Sequence, residues 1–216
     1  MFDGFPHDLP DFLWGLALNN ERGWFEAHRD DYERCLLKPF RALSLEFAEK
    51  AQARWPKKFP ALHIARIHRD ARRLGGRGPY KDHLWFSLGQ SGQLYEPCPK
   101  FWFEIGPASY GYGAGYFMAD TETLSHWRQS IDEKPETLSR IVRKLNKDGR
   151  FRPYGELYKR PKGDPGKLLF DWYNRRQLGV EAEIFFEPHP PGAELTEELM
   201  GALELLMPLY DYYSKL

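Results

Sequence analysis

Cysteine is scarce in this 216-residue chain. Cys35 and Cys98 are the only two, too few for a disulfide scaffold and in keeping with a reducing compartment. Net charge is absent as well: 31 Lys and Arg stand against 31 Asp and Glu. That balance disfavours a polybasic membrane anchor or a surface coated in positive charge for nucleic acid. No apolar run approaches the roughly 18 residues of a membrane span. Residues 1–10 have neither the basic nor the apolar region of a secretory leader. The familiar catalytic signatures are missing too: there is no Gly-x-Ser-x-Gly, His-Glu-x-x-His, Cys-x-x-Cys or acidic calcium loop. His63 and His68, five apart on a predicted strand, face opposite sides and make a poor metal pair. Neither metal nor cofactor is expected. These absences leave a globular protein, expected in the cytoplasm and away from membranes.

What the chain does hold is aromatic surface: 7 Trp, 12 Tyr and 15 Phe, enough to build a substantial core in one domain spanning residues 1–216. Asp8 is placed to cap a first helix with Leu9, Phe12, Leu13 and Leu16 as its buried stripe. Asn20 is placed to cap the next, which Pro39 should kink or split. Strands follow: Ala61 to Asp70, then Leu84, Phe86 and Leu88 alternating with His83, Trp85 and Ser87. Past a hairpin turn at Gly89–Gly92, Phe101, Phe103 and Ile105 alternate with Trp102 and Glu104, and a Gly-rich strand runs from Tyr110. Helices resume at Asp120 and Pro135, a further one is predicted at Asp164-Pro165, Val180–Phe186 reads as a late strand, and a last helix caps at Thr196. The expected fold is α+β: an antiparallel β-meander of about four to five strands packed against N-terminal and C-terminal helices.

Three segments carry candidate chemistry. Arg66, Arg69, Asp70, Arg72, Arg73, Arg77, Tyr80 and Lys81 surround the loop Gly75-Gly76-Arg77-Gly78-Pro79. Arginine forks and close backbone N–H groups suit a phosphate or carboxylate; an exposed basic loop with Asp70 paired locally is the plainer alternative. In Tyr110–Tyr116 every second residue is glycine, leaving one strand face bare to a helix, a backbone or a ligand, with a packed helix the favoured occupant. Lys159-Arg160-Pro161-Lys162-Gly163 precedes the predicted Asp164 helix start, whose N–H groups suit an anion. Cys35 and Cys98 read as packed residues rather than nucleophiles.

Taken together, Phe12-Leu13, Asn19-Asn20, Trp24-Phe25, Arg69-Asp70, Pro79-Tyr80-Lys81, Gly113-Ala114-Gly115, Pro161-Lys162-Gly163 and Pro208-Leu209 resemble the conserved hypothetical proteins of domain of unknown function 2461. The resemblance spans nearly the whole chain. Gly76 and Arg77 stand where the family usually has an Asp-Lys pair, and Arg73 where it has an aromatic. The resemblance implies a fold and a site location rather than a reaction, and it strengthens the shared-pocket reading.

The leading expectation is therefore a small anionic ligand bound by Arg66, Arg69, Asp70, Arg72, Tyr80, Lys81 and Lys162, with Asp70 orienting an arginine and Tyr80 donating a hydrogen bond. A structural or protein-interaction role ranks second. A nucleic-acid module using Trp85, Trp102 and Tyr112 ranks last. Zero net charge is a cancellation: residues 54–81 hold nine Lys/Arg against one acid and residues 140–176 hold twelve against four. Residues 1–33 and 181–204 are correspondingly acidic.

Overall fold

The computed structural model describes all residues except 71, 73, 74, 76 and 94. In α1 (Leu9–Leu18), Leu9, Phe12, Leu13 and Leu16 turn inward as their spacing predicts. Asp8 stands at the start of α1 without capping it; its carboxylate accepts from Arg34 at 2.6 Å instead. After α2 (Arg22–Ala27) and α3 (Arg29–Asp31), a π-helical turn over Tyr32–Leu37 leads into α4 (Lys38–Arg54). The helix is not split at Pro39: Leu37 and Lys38 keep right-handed helical backbone angles. The proline itself occupies the first turn of α4, where its missing N–H is tolerated.

Six strands form one antiparallel sheet in the order β1-β2-β3-β4-β6-β5. They are β1 (Ala61–Ile64), β2 (Leu84–Gly89), β3 (Pro99–Ile105), β4 (Ser109–Tyr116), β5 (Arg152–Pro153) and β6 (Gly179–Phe185). The α+β class and the meander hold, with one strand more than the upper expectation. β5 is two residues long and is defined by its pairing with β6, so no periodicity announces it. β1 is shorter than predicted: past Ile64 the chain continues with an Ala65 N–H bond to the Trp85 carbonyl and a bridge between His68 and Tyr80. The connection at Gly89–Gly92 extends to residue 98, so it is a loop rather than a tight hairpin.

Alternation decides the two faces of this sheet. Leu84, Phe86, Leu88, Phe101, Phe103, Ile105, Tyr112 and Val180 are fully buried on one face, under α4 and the C-terminal helix α8 (Leu195–Tyr213). Phe40 and Phe47 of α4 meet Phe86 and Phe101 with ring centroids 5.7 and 5.1 Å apart. Each such side chain removed from water contributes about 1.5–3 kcal/mol. The β4 tyrosines keep their hydroxyls satisfied against α8. Tyr112 donates to Glu198 at 2.8 Å and Tyr116 to the Tyr213 carbonyl at 2.8 Å.

Three further helices complete the cover: α5 (Thr121–Glu133), α6 (Pro135–Asp148) and α7 (Phe170–Tyr173). Asp120 caps α5 by accepting from the Thr123 N–H at 2.7 Å, as predicted. α6 starts at Pro135 and ends at Gly149, whose φ of +83° suits only glycine at low strain. The helix predicted at Asp164-Pro165 is absent from that position. Asp164 instead accepts from the Gly166 N–H in a local turn, and α7 begins only at Phe170. α8 starts at Leu195, which places Thr196 buried inside its first turn rather than at the cap. No helix among the described residues is long and apolar enough to cross a membrane.

Candidate functional site

The densest charged segment turns inward on its own chain. Arg69 N and Lys81 N donate to the carbonyls of Pro79 and Ile67, both at 2.8 Å, which carries the β1 edge onward for two more rungs. Arg69 Nε donates to the Tyr80 carbonyl at 2.7 Å, and its Nη2 lies 3.6 Å from Asp82. Lys81 Nζ donates to the Arg66 carbonyl at 2.5 Å, while the Arg66 side chain is exposed. Burial, with Arg69 and Arg66 beside it, lowers the Lys81 ammonium from its ordinary value. Asp70 accepts from the backbone N–H, Nε and Nη2 of Arg72, whose side chain is 88 % exposed.

Tyr80 is 3 % exposed and stacks on Phe25 at 4.0 Å, inside the core. The placement comes from Asn20, which does not cap α2. Its amide donates to the Tyr80 carbonyl and accepts from the Tyr80 N–H, each at 2.9 Å. Lys162 lies apart from this cluster, in the loop after β5, with β3, β4 and β6 between that edge and β2. Its ammonium sits 4.8 Å over the Tyr158 ring. The structure thus joins Arg66, Arg69, Tyr80 and Lys81, pairs Asp70 with Arg72, and leaves Lys162 elsewhere. Arg73 and Gly76 of the Gly-rich loop lie outside the described residues.

The uncovered face of the sheet offers a different arrangement. By register, one row across it runs His63, Ser87, Trp102, Gly113 and Glu181; the next runs Trp85, Glu104, Gly111 and Glu183. The glycines of β4 are occupied by backbone, not by the expected helix. A Cβ on Gly113 would lie 1.9 Å from the Val180 carbonyl oxygen, and one on Gly115 would lie 2.3 Å from that of Leu178. β6 therefore curls over this face, and the sheet is concave there. Tyr112, grouped with Trp85 and Trp102 as a possible base platform, belongs to the opposite, buried face.

Two adjoining cavities occupy the concavity. The first, about 350 Å³, is walled by Trp85, Trp102, Phe117 and Tyr154 and reached by Ser87, Lys100 and Gln177. Lys100 is 3 % exposed; its ammonium donates to the Ser91 carbonyl at 2.5 Å and approaches Cys98 Sγ at 3.5 Å. Burial, together with Lys100 and Lys81, lowers His63 from its ordinary value. The second cavity, about 320 Å³, shares Trp102, Glu104 and Glu181 with the first and adds Asp82, His83, Glu183 and Arg152. His83 Nδ1 lies 2.9 Å from Asp82 Oδ1, and Nε2 lies 3.9 Å from Glu104 Oε2. Burial raises the Glu104 carboxyl above the ordinary carboxylate range. Burial opposes ionisation of Asp82 too, but the His83 hydrogen bond and its own backbone N–H hold it lower. Arg152 bridges Glu181 and Glu183 at 3.3 and 3.4 Å.

Asp82, His83, Lys100, Glu104 and Glu181 were not singled out from the sequence. The signal for most of them was the period-two alternation, which assigns Trp85, Ser87, Trp102 and Glu104 to the face opposite the phenylalanines. Among the described residues no group of three or more His, Cys, Asp or Glu is placed to hold a metal ion. Cys35 is buried beside Asp8, and burial pushes its thiol up to about 11, consistent with a packed residue.

A search of the curated proteins found no match. The sequence profile of the conserved hypothetical proteins known as DUF2461 matches residues 8–212, so the chain belongs to that family.

Proposed function

We propose that the protein binds a small planar ligand carrying an anionic group on the concave face of its sheet. The observation that carries this reading is the first cavity: an uncovered sheet face of about 350 Å³, walled by Trp85, Trp102 and Tyr154 around Lys100. Apolar concavity with a few convergent polar groups is the usual form of a small-molecule site. The rings supply stacking surface, Ser87 and Gln177 supply polar contacts, and the buried Lys100 ammonium, with one donor beyond the two it uses, supplies the charge. Arg66, Arg69 and Lys81 add to the positive field at the β1 side rather than contacting the ligand. The Glu181 and Glu183 carboxylates on the same face oppose a polynucleotide backbone, so nucleic acid ranks last.

The test is a titration of tryptophan fluorescence with benzoate, indole-3-acetate and adenosine 5′-monophosphate. Saturable binding of at least one is expected, lost in Trp102→Ala and weakened about tenfold in Lys100→Met. If none of the three saturates at millimolar concentration, or if both variants bind like the wild type, the reading is wrong.

A second reading has its own support, and it concerns the Arg-Asp…Pro-Tyr-Lys cluster. Arg69, Lys81 and Asn20 direct their donors to carbonyls of this chain, as a structural clamp would. Arg69→Ala should then lower the melting temperature without changing ligand affinity.

A further inference from the structure

We infer that His83 is a general base facing the second cavity, held by Asp82 as a positioning residue, with Glu104 as the proton donor beside it. The inference rests on the reading of the concave face as the ligand site and adds a reaction class to it.

The geometry is specific about the imidazole. An ionised carboxylate can only accept hydrogen bonds, so Asp82 at 2.9 Å makes Nδ1 the N–H of the neutral ring. Nε2 is then bare. Glu104 at 3.9 Å is too distant to hydrogen-bond it, so the lone pair faces the cavity both residues line. Asp82 is itself backed by Arg69 at 3.6 Å. The titratable groups nearest the imidazole are thus Asp82 beside it and the Glu104 carboxyl from β3, with Arg69 behind Asp82 and Arg152, Glu181 and Glu183 lining the same cavity. Gly111 and Trp102 line the cavity as well, and Nε2 and Oε2, side by side at 3.9 Å, can meet neighbouring atoms of one flat molecule held there. A base with one nitrogen oriented by a carboxylate, next to a carboxyl raised by burial, is the arrangement for moving a proton between two atoms of one ligand.

The reaction class is proton abstraction from a carbon acid or hydroxyl of a planar ligand. The proton passes to His83 Nε2, and its electron pair shifts into the ligand as charge develops on an oxygen. That oxygen takes the proton of Glu104. Return of the proton from the imidazolium to the Glu104 carboxylate, through solvent, restores both groups. No oxidant or reductant is needed.

Two measurements test this. The first is the tautomer of His83 by ¹⁵N NMR of the wild-type protein, which requires no ligand. The Nδ1–H form is expected in the wild type, moving toward Nε2–H, the form a free histidine side chain prefers, in Asp82→Ala. An Nε2–H ring in the wild type would overturn the proposal. The second uses 5-nitrobenzisoxazole, a planar carbon acid. Its C3 proton goes to the base, the C–H pair completes a nitrile, and the N–O bond breaks to give a phenoxide. Turnover above that of equimolar free imidazole is expected, falling about 100-fold in both His83→Asn and His83→Gln. Equal rates in the wild type and both variants, or a wild-type rate no faster than imidazole, would sink the base. If the probe quenches tryptophan and saturates all the same, the ligand site stands and only the base falls.

Discussion

The two faces of this sheet are built from alternate residues of the same strands, yet they have opposite jobs. Phe101, Phe103 and Ile105 of β3 are fully buried under helices, while their neighbours Lys100, Trp102 and Glu104 line cavities. One face is filled to near crystal density and tolerates little change. The other keeps Trp85, Trp102 and Glu104 half-exposed around the buried Lys100. A strand that is rigid on one side holds the side chains of the other in place.

Adjacent substitutions on β3 should break that comparison most sharply. Phe103→Ala, which empties a ring packed among Phe40, Phe86 and Tyr110, should cost about 3–5 kcal/mol in denaturant unfolding. Trp102→Ala, one residue away on the other face, should cost about 1 kcal/mol. Similar losses for the two would mean the faces do not differ as described. Gly113→Ala probes the join between them: its Cβ meets the Val180 carbonyl, and β6 is paired on both sides and cannot move freely. A loss of about 1–3 kcal/mol is expected, and wild-type stability would contradict the curl of β6.

The charged cluster gives the smaller effects. Asn20→Ala strips the buried Tyr80 N–H of its partner and should cost about 1–2 kcal/mol. Arg72→Ala, on an exposed side chain paired with Asp70 two residues away, should stay within about 0.5 kcal/mol of the wild type in melting experiments. A large Arg72 effect would reopen the case for a built site in that loop.

Much of the fold was legible because strands and helices write their period into the chain. Leu84, Phe86 and Leu88 announce both β2 and its buried side, and Asp120 announces its cap. What was hidden depends on partners far along the sequence. Asn20 has the composition of a helix cap, but residues 60 positions away outcompete the adjacent helix for its amide. Asp164-Pro165 has the composition of a helix start, but a nearer Gly166 N–H takes the carboxylate. The site was harder still. Arginines cluster between residues 66 and 77 and so attract notice, although most of those described serve their own chain. Lys100, Glu104 and Glu181 stand alone in the sequence and meet only when β3, β4 and β6 pair.

The Asn20 clamp has a consequence for motion. In the segment around Tyr80, the N–H and the C=O of that residue are both fastened by Asn20 to the corner between α1 and α2. The corner and this segment should therefore open as one cooperative unit, visible as matched exchange of the Tyr80 and Lys81 amides with those of α2. Asp82 and His83 are the next residues along. Whatever loosens the first two helices will be felt at the wall of the second cavity, so the amino-terminal helices set how still that wall stands.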